Sequence, residues 1–401
     1  MPPNAYSLLG GLTPAEFLRD YWQRKPLLIR QAMPGLTSPL EPDELAGLAL
    51  EDAIPSRLVI EHGTTPWAVR YGPFTEDDFA KLPETHWSLL VTDLEKFVPE
   101  LGTLIDPFRF IPDWRIDDLM ISYAPPQGSV GPHTDAYDVF LLQLQGHRRW
   151  QIDTRPVAAD NRLPDTALHI LRDFTPEQTW VLEPGDMLYL PPHIAHHGVA
   201  LDDCMTASIG FRAPSQQELL GAWLDDAVAR LDPALRYADP GLMPQTNPGE
   251  IDATARARAV ALLRNALTVD DAALERWFAG YVTEPRADLA SLYPEPPDWQ
   301  ADDLLAHLRA GAALHRNPAA RLAWFAETDT VRCFADGEMR TLPACNRPLI
   351  EYLCRERDYR AGQILNRLDE PATALLLWLL QRGILEAHIP DTDTINTGID
   401  A

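Results

Sequence analysis

Hydrophobic residues in the first half of the chain occur in short runs that are separated by proline, glycine and acidic clusters. Runs of this length between turn-forming residues predict β-strands. They include RLVIEH, WAVRYG and LMISYA, followed by residues 180–182, 187–190 and 206–212. Many short strands joined by tight turns are typical of a barrel or a sandwich, so we expect one of these in the first half.

The segment 139–152 contains the most apolar of these runs. It reads VFLLQLQGHRRWQI, in which a β-prone run leads to a turn-forming QGH and then to a second strand. We therefore expect a β-hairpin. Alternation along its second strand puts Arg148, Trp150 and Ile152 on one face, and Arg149 with Gln151 on the other.

Helical spacing dominates the second half of the chain, from Pro214 onward. Ser215 and Glu218 form a capping box, and apolar residues follow at helical spacing as far as Leu231. Helical periodicity returns in ATARARAVALLRNAL, and YPEPPDW is a candidate linker. Beyond it, helices alternate with the strand-like runs VRCFADG and EMRTL in an order that resembles a winged helix. This unit lacks a basic recognition helix, so we expect it to be structural or to contact protein.

Composition limits the possible functions of the 401-residue chain. Its hydrophobic fraction of 46% and charged fraction of 23% are typical of a folded, multidomain protein without a membrane-spanning run. The N-terminus lacks the pattern of a secretion signal, so we expect a cytoplasmic protein whose four cysteines are free thiols. A net charge of −25 disfavours direct nucleic-acid binding and suits a basic protein partner.

Candidate chemistry begins with His133 and Asp135, which immediately precede the apolar run. Burying both side chains is costly unless they pair with each other or bind a cation, and these residues alone favour neither interpretation. A metal site needs a third ligand. The segment GDMLYLPPHIAHHG offers His193, His196 and His197, and spacing alone does not choose among them.

The histidine-rich segment lies about sixty residues after the HxD pair, and this layout resembles the cupin and JmjC-type oxygenase families. The spacing of Gly185, Pro191 and His196 is similar to the second cupin motif. The resemblance implies that His196 is the third ligand, and that His193 and His197 lie in the surroundings or at the surface. It also implies an α+β chain in which a double-stranded β-helix, the cupin or JmjC barrel, forms the first domain.

Two histidines and one carboxylate leave three coordination positions open, which is the arrangement of non-haem Fe(II) oxygenases. A tetrahedral zinc hydrolase would keep only one such position. If its face of the strand lines the barrel, Arg148 is a buried cation that needs an anion, and the distal carboxylate of 2-oxoglutarate would pair with it. JmjC-type oxygenases carry a basic residue at this spacing, and resemblance to the ribosomal oxygenase branch adds Ser122 to the same pocket.

Several longer segments resemble bacterial ribosomal oxygenases that hydroxylate arginine. They are FLRDYWQRKPLLIR, VGPHTDAYDVFLLQLQGHRRW, EPGDMLYLPPHIAHHGVAL and SIGFRAP. This resemblance implies an Fe(II)- and 2-oxoglutarate-dependent dioxygenase that uses O2 to hydroxylate the β-carbon of an arginine in a large-subunit ribosomal protein. It also implies an oxygenase domain over 1–213, a helical dimerisation region over 214–292, and a winged-helix-like domain over 293–401.

Two other interpretations of the sequence stay open. One keeps the JmjC chemistry and changes the target, to histidine hydroxylation or lysine demethylation. The other is a metal-binding cupin without catalytic activity. Tyr137 and Asp138, directly after the HxD pair, could contact a substrate side chain, or could only pack and form turn hydrogen bonds. An acidic pocket would favour arginine over histidine as the target.

Overall fold

The structure is a computed structural model that describes residues 8–62, 65–164, 166–244 and 246–389. The expected first and last domains also include residues 1–7 and 390–401, which lie outside the described residues. Among the described helices, none has the length and apolar character needed to cross a membrane.

Two antiparallel sheets form the first half of the chain. The larger sheet has eight strands in the order β1-β9-β6-β11-β5-β4-β2-β3, and the smaller has three in the order β10-β7-β8. The strands are β1 Leu27–Ile29, β2 Ser56–His62, β3 Thr65–Tyr71, β4 Trp87–Val91, β5 Ile116–Ala124, β6 Asp138–Gln145, β7 Arg148–Asp153, β8 Gln178–Leu182, β9 Met187–Leu190, β10 Ala195–Ala200 and β11 Cys204–Phe211. The runs that predicted strands are all strands.

Both faces of β6 are buried, which explains its continuous apolar sequence. Val139 and Leu141 pack with Trp150 and other buried residues of the smaller sheet. Phe140 and its alternate neighbours face the opposite way, into a large core with the N-terminal helices. The first of these two clusters fills the space between the sheets, so the two sheets enclose an interior as a barrel does.

The connection between β6 and β7 contradicts one prediction. The sequence predicted a hairpin, but β6 pairs with β9 and β11, whereas β7 pairs with β8 and β10. The turn carries the chain from one sheet to the other. Gly146 has a φ of +63°, and a Cβ at this position would lie 2.2 Å from the carbonyl oxygen of Asp203. Close packing against the turn between β10 and β11 therefore fixes this crossover.

Short helices cover the outer face of the larger sheet. They are α1 Pro14–Asp20, α2 Pro42–Leu48, α3 Glu76–Ala80 and α4 Leu94–Phe97, with 3-10 helices at Pro99–Leu104, Asp106–Phe108 and Asp113–Arg115. Thr13 and Glu16 form the capping box of α1. The ring of Phe17 on α1 lies 4.9 Å from that of Tyr189 on β9, edge to face. This aromatic packing fixes the N-terminal segment on the barrel.

Three longer helices follow the barrel. They are α5 Gln216–Ala229, α6 Ala253–Ala266 and α7 Asp271–Tyr281, followed by a 3-10 helix at Ala287–Leu292. The predicted capping box of Ser215 and Glu218 begins α5. Neither α5 nor α6 has a buried residue, and apolar side chains such as Leu220, Val228 and Leu263 are exposed. The apolar face predicted for α5 is therefore only partly covered by the described part of the chain.

The C-terminal unit combines helices with two small sheets around its own core. Its helices are α8 Ala301–Arg309, α9 Arg347–Arg355, α10 Ala361–Leu365 and α11 Glu370–Gln381, with a 3-10 helix at Ala344–Asn346. Its strands are β12 Ala313–Arg316, β13 Leu322–Ala326, β14 Thr330–Ala335, β15 Glu338–Pro343, β16 Asp358–Tyr359 and β17 Leu385–His388. The sheets have the orders β16-β12-β17 and β13-β14-β15. The helices and strands predicted for this unit are all present.

Candidate metal centre

Three side chains from two segments form a compact cluster. The potential ligand atoms of His133, Asp135 and His196 all lie within 4.8 Å of one another. Asp135 Oδ2 is 3.5 Å from His196 Nε2 and 3.8 Å from His133 Nε2. Two imidazole nitrogens and a carboxylate oxygen on one side of a common centre are a donor set that suits Fe(II) and leaves other positions open.

Backbone hydrogen bonds bring the two segments together. The His133 N–H donates to the carbonyl oxygen of His196 at 3.0 Å, and the His196 N–H donates to that of His133 at 2.9 Å. This isolated bridge lies ahead of β6, so the chain is locally extended at His133 without being part of a long strand. The His193 N–H also donates to the carbonyl oxygen of Asp135 at 2.7 Å. The cluster is thus fixed by main-chain contacts as well as by side chains.

Further hydrogen bonds orient both imidazoles. His133 Nδ1 lies 2.9 Å from the carbonyl oxygen of Gly131, and His196 Nδ1 lies 2.9 Å from that of Ile194. An Nδ1–H that donates to a carbonyl leaves Nε2 as the basic nitrogen, the tautomer that a metal ligand needs. Burial, together with the neighbouring His133, holds the pKa of His196 well below its ordinary value. His196 is therefore neutral at physiological pH and available as a ligand.

The two other histidines of the segment lie apart from this cluster. His193 is exposed and occupies a left-handed backbone conformation with a φ of +67°. His197 Nε2 lies 3.0 Å from the hydroxyl oxygen of Ser129, which accepts a hydrogen bond from the Gly131 N–H. His197 therefore contacts the loop that carries His133, whereas the His193 side chain lies at the surface.

Arg148 is a buried cation in the interior of the barrel. It is 4% exposed, and its strand β7 alternates between buried and partly buried positions, as the sequence predicted. Its Nε and Nη2 have no hydrogen-bond partner among the described residues. The guanidinium lies 5.8 Å from the Trp150 ring centre, a contact that does not satisfy its N–H groups. A buried guanidinium with free donors favours an anionic ligand beside it.

Ser122 lies on β5 within a row of polar side chains that crosses the larger sheet. It is buried and pairs across the sheet with Thr206, which in turn pairs with Gln143. The Thr206 hydroxyl donates to Gln143 Oε1 at 3.1 Å, whereas the Ser122 hydroxyl makes only a long contact of 3.4 Å with the Thr206 carbonyl oxygen. Sequence analysis missed Thr206 and Gln143, because their neighbours in this row come from distant strands.

Asp118 is a second polar group that the sequence analysis missed. Alternation along β5 puts Asp118 and Met120 on the same face as Ser122. Burial, with a further contribution from Asp117, raises the pKa of Asp118 to about 7. A Cβ at Gly210 on the facing strand β11 would lie only 2.8 Å from Asp118 Oδ1, so glycine makes room for this carboxylate. The sequence offered one signal for this residue, because alternation along the strand places Asp118 on the same face as Ser122.

The side chain of Tyr137 lies close to Asp118 and to Asp135 of the candidate metal centre. It is 42% exposed, yet burial and the nearby carboxylates of Asp135 and Asp118 raise the pKa of its phenol. The phenol therefore stays protonated and can donate a hydrogen bond. Asp135, Tyr137 and Asp118 together place two carboxyl groups and one donor beside each other, which is an arrangement that can receive a cationic side chain.

Asp138, the other residue left open by the sequence, has a structural role. It is fully buried, and the Tyr189 hydroxyl donates to its Oδ1 at 2.6 Å. Gln23 Nε2 donates to Oδ2 at 3.0 Å, and Arg115 lies 3.4 Å away. These contacts join β6 to the N-terminal segment, so Asp138 faces away from the cluster and belongs to the outer core.

Comparison with known proteins adds family information to this geometry. A family model described as a JmjC domain matches residues 103–219, and one described as a ROXA-like winged helix matches residues 263–386. The chain is 34% identical over 369 residues to the ribosomal protein uL16 3-hydroxylase of Escherichia coli. That alignment covers 92% of this chain and 96% of the relative.

Solved structures agree with the sequence comparison. The X-ray structure of Escherichia coli YcfD has a TM-score of 0.78 at 34% identity, with 94% of this chain and 98% of that chain covered. A second structure is described as YcfD, a ribosomal oxygenase from Escherichia coli, in complex with cobalt and 2-oxoglutarate. It has a TM-score of 0.76 at 33% identity and the same coverage of both chains.

Proposed function

We propose, from the premise that this chain belongs to the family of JmjC-domain ribosomal oxygenases, that it hydroxylates the β-carbon of an arginine in a large-subunit ribosomal protein. The chain is a 2-oxoglutarate-dependent oxygenase and a ribosomal protein hydroxylase. The observation that carries the arginine assignment is the position of Asp118 and Tyr137 next to the His133, Asp135 and His196 cluster.

In this proposal His133, Asp135 and His196 bind Fe(II). The donor set fits this ion, and the hydrogen bonds from both Nδ1 atoms keep each Nε2 free for it. Bound iron, with 2-oxoglutarate and O2, supplies the oxidative chemistry, in which the cosubstrate is converted to succinate and carbon dioxide. The protein contributes geometry: two segments joined by the bridge between His133 and His196 keep the three ligands at fixed separations.

Arg148 and Ser122 bind the distal carboxylate of 2-oxoglutarate. The free Nε and Nη2 of Arg148 fit this anion, because a guanidinium can donate two parallel hydrogen bonds to one carboxylate. Ser122 adds a buried hydroxyl that is held only by a long contact to the Thr206 carbonyl oxygen. This pair also argues against a metal-binding cupin without catalytic activity, since such a protein has no need of a buried, unsatisfied cation.

The acidic pocket favours arginine over the other JmjC targets. An anionic Asp118 pairs with a guanidinium, which presents five donors and stays charged at any physiological pH. A neutral imidazole would gain little from the same carboxylate, so histidine is the weaker candidate. Tyr137 can donate to a main-chain or side-chain oxygen of the substrate while its ring covers the pocket. The ion pair between Asp118 and the guanidinium would then hold the carbon that is hydroxylated close to the metal.

The domain limits 1–213, 214–292 and 293–401 and the homodimer are part of the same proposal. Helices α5 and α6 have no buried residues, and Val228 and Leu263 are 63% and 65% exposed. Apolar helix faces of this kind are covered in stable assemblies, and a second copy of this region would cover them. The net charge of −25 supports a basic ribosomal protein, rather than nucleic acid, as the partner. The cytoplasm is the proposed location, since the relative from Escherichia coli is a ribosomal protein hydroxylase.

The decisive experiment uses ribosomes from cells that lack the gene. The purified protein is incubated with these ribosomes, Fe(II) and 2-oxoglutarate, and every ribosomal protein is searched by mass spectrometry for the gain of one oxygen. Asp135→Ala removes one proposed ligand, and Asp298→Ala is the matched control because this carboxylate is exposed and distant in sequence from the cluster.

We expect one arginine to gain oxygen with the wild type and Asp298→Ala, and no gain with Asp135→Ala. Oxygen on a histidine would replace the arginine assignment with the histidine hydroxylase alternative, and loss of a methyl group from a lysine would favour a demethylase. Iron binding without conversion of 2-oxoglutarate to succinate would support the non-catalytic cupin instead.

A further inference from the structure

Two arginines from the C-terminal half of the chain, residues 214–389, pair with two aspartates that lie close to Asp118 in the fold. Arg321 Nη2 is 3.7 Å from Asp117 Oδ1, and Arg286 Nη1 is 2.8 Å from Asp93 Oδ1. Both arginines fall within the residues that match the winged-helix family model. The C-terminal half therefore places positive charge against β5, which carries Asp118 on its inner face, and against α4, which packs on the outer face of the same sheet.

Asp117 and Asp118 are adjacent on β5, so their side chains point to opposite faces of the strand. Asp118 faces the interior, whereas Asp117 faces the C-terminal half and pairs with Arg321 and, at 3.9 Å, with Arg212. The main chain at this point is also held, because Lys96 Nζ donates to the Asp117 carbonyl oxygen at 3.0 Å. A change in the ion pairs of Asp117 thus alters the electrostatic potential at Asp118.

Helix α4 supplies the other charges near Asp118. The buried Lys96 ammonium pairs with Asp93 and, at 2.8 Å, with Glu95. Glu95 Oε2 also accepts a hydrogen bond from the Leu119 N–H at 2.9 Å, immediately after Asp118. The α4 cluster of Asp93, Glu95 and Lys96 has two carboxylates and one ammonium, and Arg286 supplies the second positive charge.

The charged and titratable groups that face Asp118 come from three directions. Asp117 lies on its own strand, and the α4 cluster packs from the outer side. On the pocket side, Tyr137 approaches from the segment ahead of β6, and Arg57 reaches from β2, where its Nη2 lies 4.0 Å from Met120 Sδ. Burial raises the pKa of Asp118 most, Asp117, Glu95 and Asp93 raise it further, and Lys96 opposes them. Gly210, which faces Asp118 from β11, carries no charge. At a pKa of about 7, small changes in these charges alter the fraction of Asp118 that is ionised at neutral pH.

We propose that the C-terminal half supports substrate binding electrostatically: Arg321 and Arg286 neutralise Asp117 and Asp93, and so keep Asp118 anionic for the substrate guanidinium. The inference rests on the proposed function, since it gives Asp118 a cationic substrate to bind. It assigns to the C-terminal half a role that needs no contact with the substrate. Arg321 is a positioning residue in this scheme, because it acts through Asp117.

The size of the effect is limited by solvent. Glu95, Lys96, Asp117 and Arg321 line a cavity of about 480 Å³ between the barrel and the C-terminal unit, so water and salt reach these ion pairs. Screened charges at this distance shift a neighbouring pKa by about half a unit, which is about a threefold change in kcat/KM on the acid side of the profile. The shift is modest but has a definite sign.

The test measures kcat/KM against pH between 6 and 9, with the ribosomal protein that gains oxygen in the experiment above as substrate. Arg321→Gln should move the acid midpoint up by about half a unit, because the Asp117 charge is then less compensated. Asp117→Asn should move it down, and the double variant Asp117→Asn with Arg321→Gln should return it to or below the wild-type midpoint. The affinity for 2-oxoglutarate should not change in any of them.

Arg357→Gln is the matched control. Arg357 also joins the C-terminal unit to the barrel, through a 3.7 Å pair with Asp106. Asp106 is not among the charges that act on Asp118. Its midpoint should equal that of the wild type. A midpoint that stays unchanged in both Arg321→Gln and Asp117→Asn overturns the inference, as does an equal loss at every pH in Arg321→Gln and Arg357→Gln. Absence of hydroxylation by the wild type would instead contradict the proposed function. Asp117→Asn leaves the C-terminal unit intact, so the inference stays testable even if Arg321→Gln fails to fold.

Discussion

Replacement of Arg148 by methionine should affect ligand binding and stability in opposite directions. The side chain is 4% exposed and two of its nitrogens have no hydrogen-bond partner among the described residues. Without an anion, the buried charge lowers the stability of the folded protein. With 2-oxoglutarate bound, the same charge becomes the anchor of the distal carboxylate. Methionine has a similar length, fills most of the same volume and carries no charge.

The two effects can be sized separately. Two charge-assisted hydrogen bonds of about 1.5 kcal/mol each are lost on binding, so Kd for 2-oxoglutarate should rise by roughly two orders of magnitude. In the ligand-free protein, removal of an uncompensated buried cation should increase the free energy of unfolding by about 2 kcal/mol, or a few degrees in Tm. A residue that only stabilises the fold would lower Tm when replaced.

Isothermal titration with Mn(II) in place of Fe(II) measures Kd, and differential scanning calorimetry measures Tm with and without 2-oxoglutarate. The matched control is Arg149→Gln, which removes the neighbouring guanidinium on the opposite face of β7 and should leave Kd unchanged. Addition of 2-oxoglutarate should raise Tm of the wild type and of the control, but not of Arg148→Met. An unchanged Kd in Arg148→Met, or a lower Tm of its ligand-free form, would refute the assignment.

Two further predictions concern the substrate pocket and the exposed helices. Asp118→Asn should raise KM for the arginine substrate at least about tenfold, with an unchanged Kd for 2-oxoglutarate, because one partly buried charge pair is lost. The pKa of Asp118 is raised from 3.8 to about 7, so the folded state loses stability as pH rises through this interval. Asp118→Asn should therefore have a higher Tm than the wild type at pH 8. An equal Tm at pH 8 would contradict the desolvation of the Asp118 carboxylate. Leu263→Glu on α6 should convert a dimer to a monomer, as measured by light scattering after size exclusion. The control Leu201→Glu, at an exposed turn, should stay dimeric. A monomeric wild type would contradict the proposed dimer.

Most of the local structure could be predicted from the sequence. The predicted capping box at Ser215 begins a helix, and the short apolar runs are strands, because these signals depend on residues close to each other in the chain. Alternation along a single strand also predicted that Arg148, Trp150 and Ile152 share one face, and the structure shows that this is the buried face. In each case the determining contacts are close in sequence.

The prediction that depended on strand pairing was wrong. The run before Gly146 and the strand after it are both present, yet they belong to different sheets instead of one hairpin. A turn sequence defines where the chain reverses, but partner strands are chosen by long-range packing. The same limitation explains why Thr206 and Gln143 were missed beside Ser122, and why the exposed faces of α5 and α6 could not be distinguished from a covered helix surface.

By itself the sequence determined the elements, the HxD pair and, through family resemblance, the third histidine and the oxygenase chemistry. Only the tertiary structure placed Asp118 beside Tyr137 and brought Arg321 against Asp117. The physical reason is distance along the chain. Periodicity and capping are fixed by neighbouring residues, whereas the charge state of a buried carboxylate depends on groups from three separate segments, which only the packed fold brings within electrostatic range.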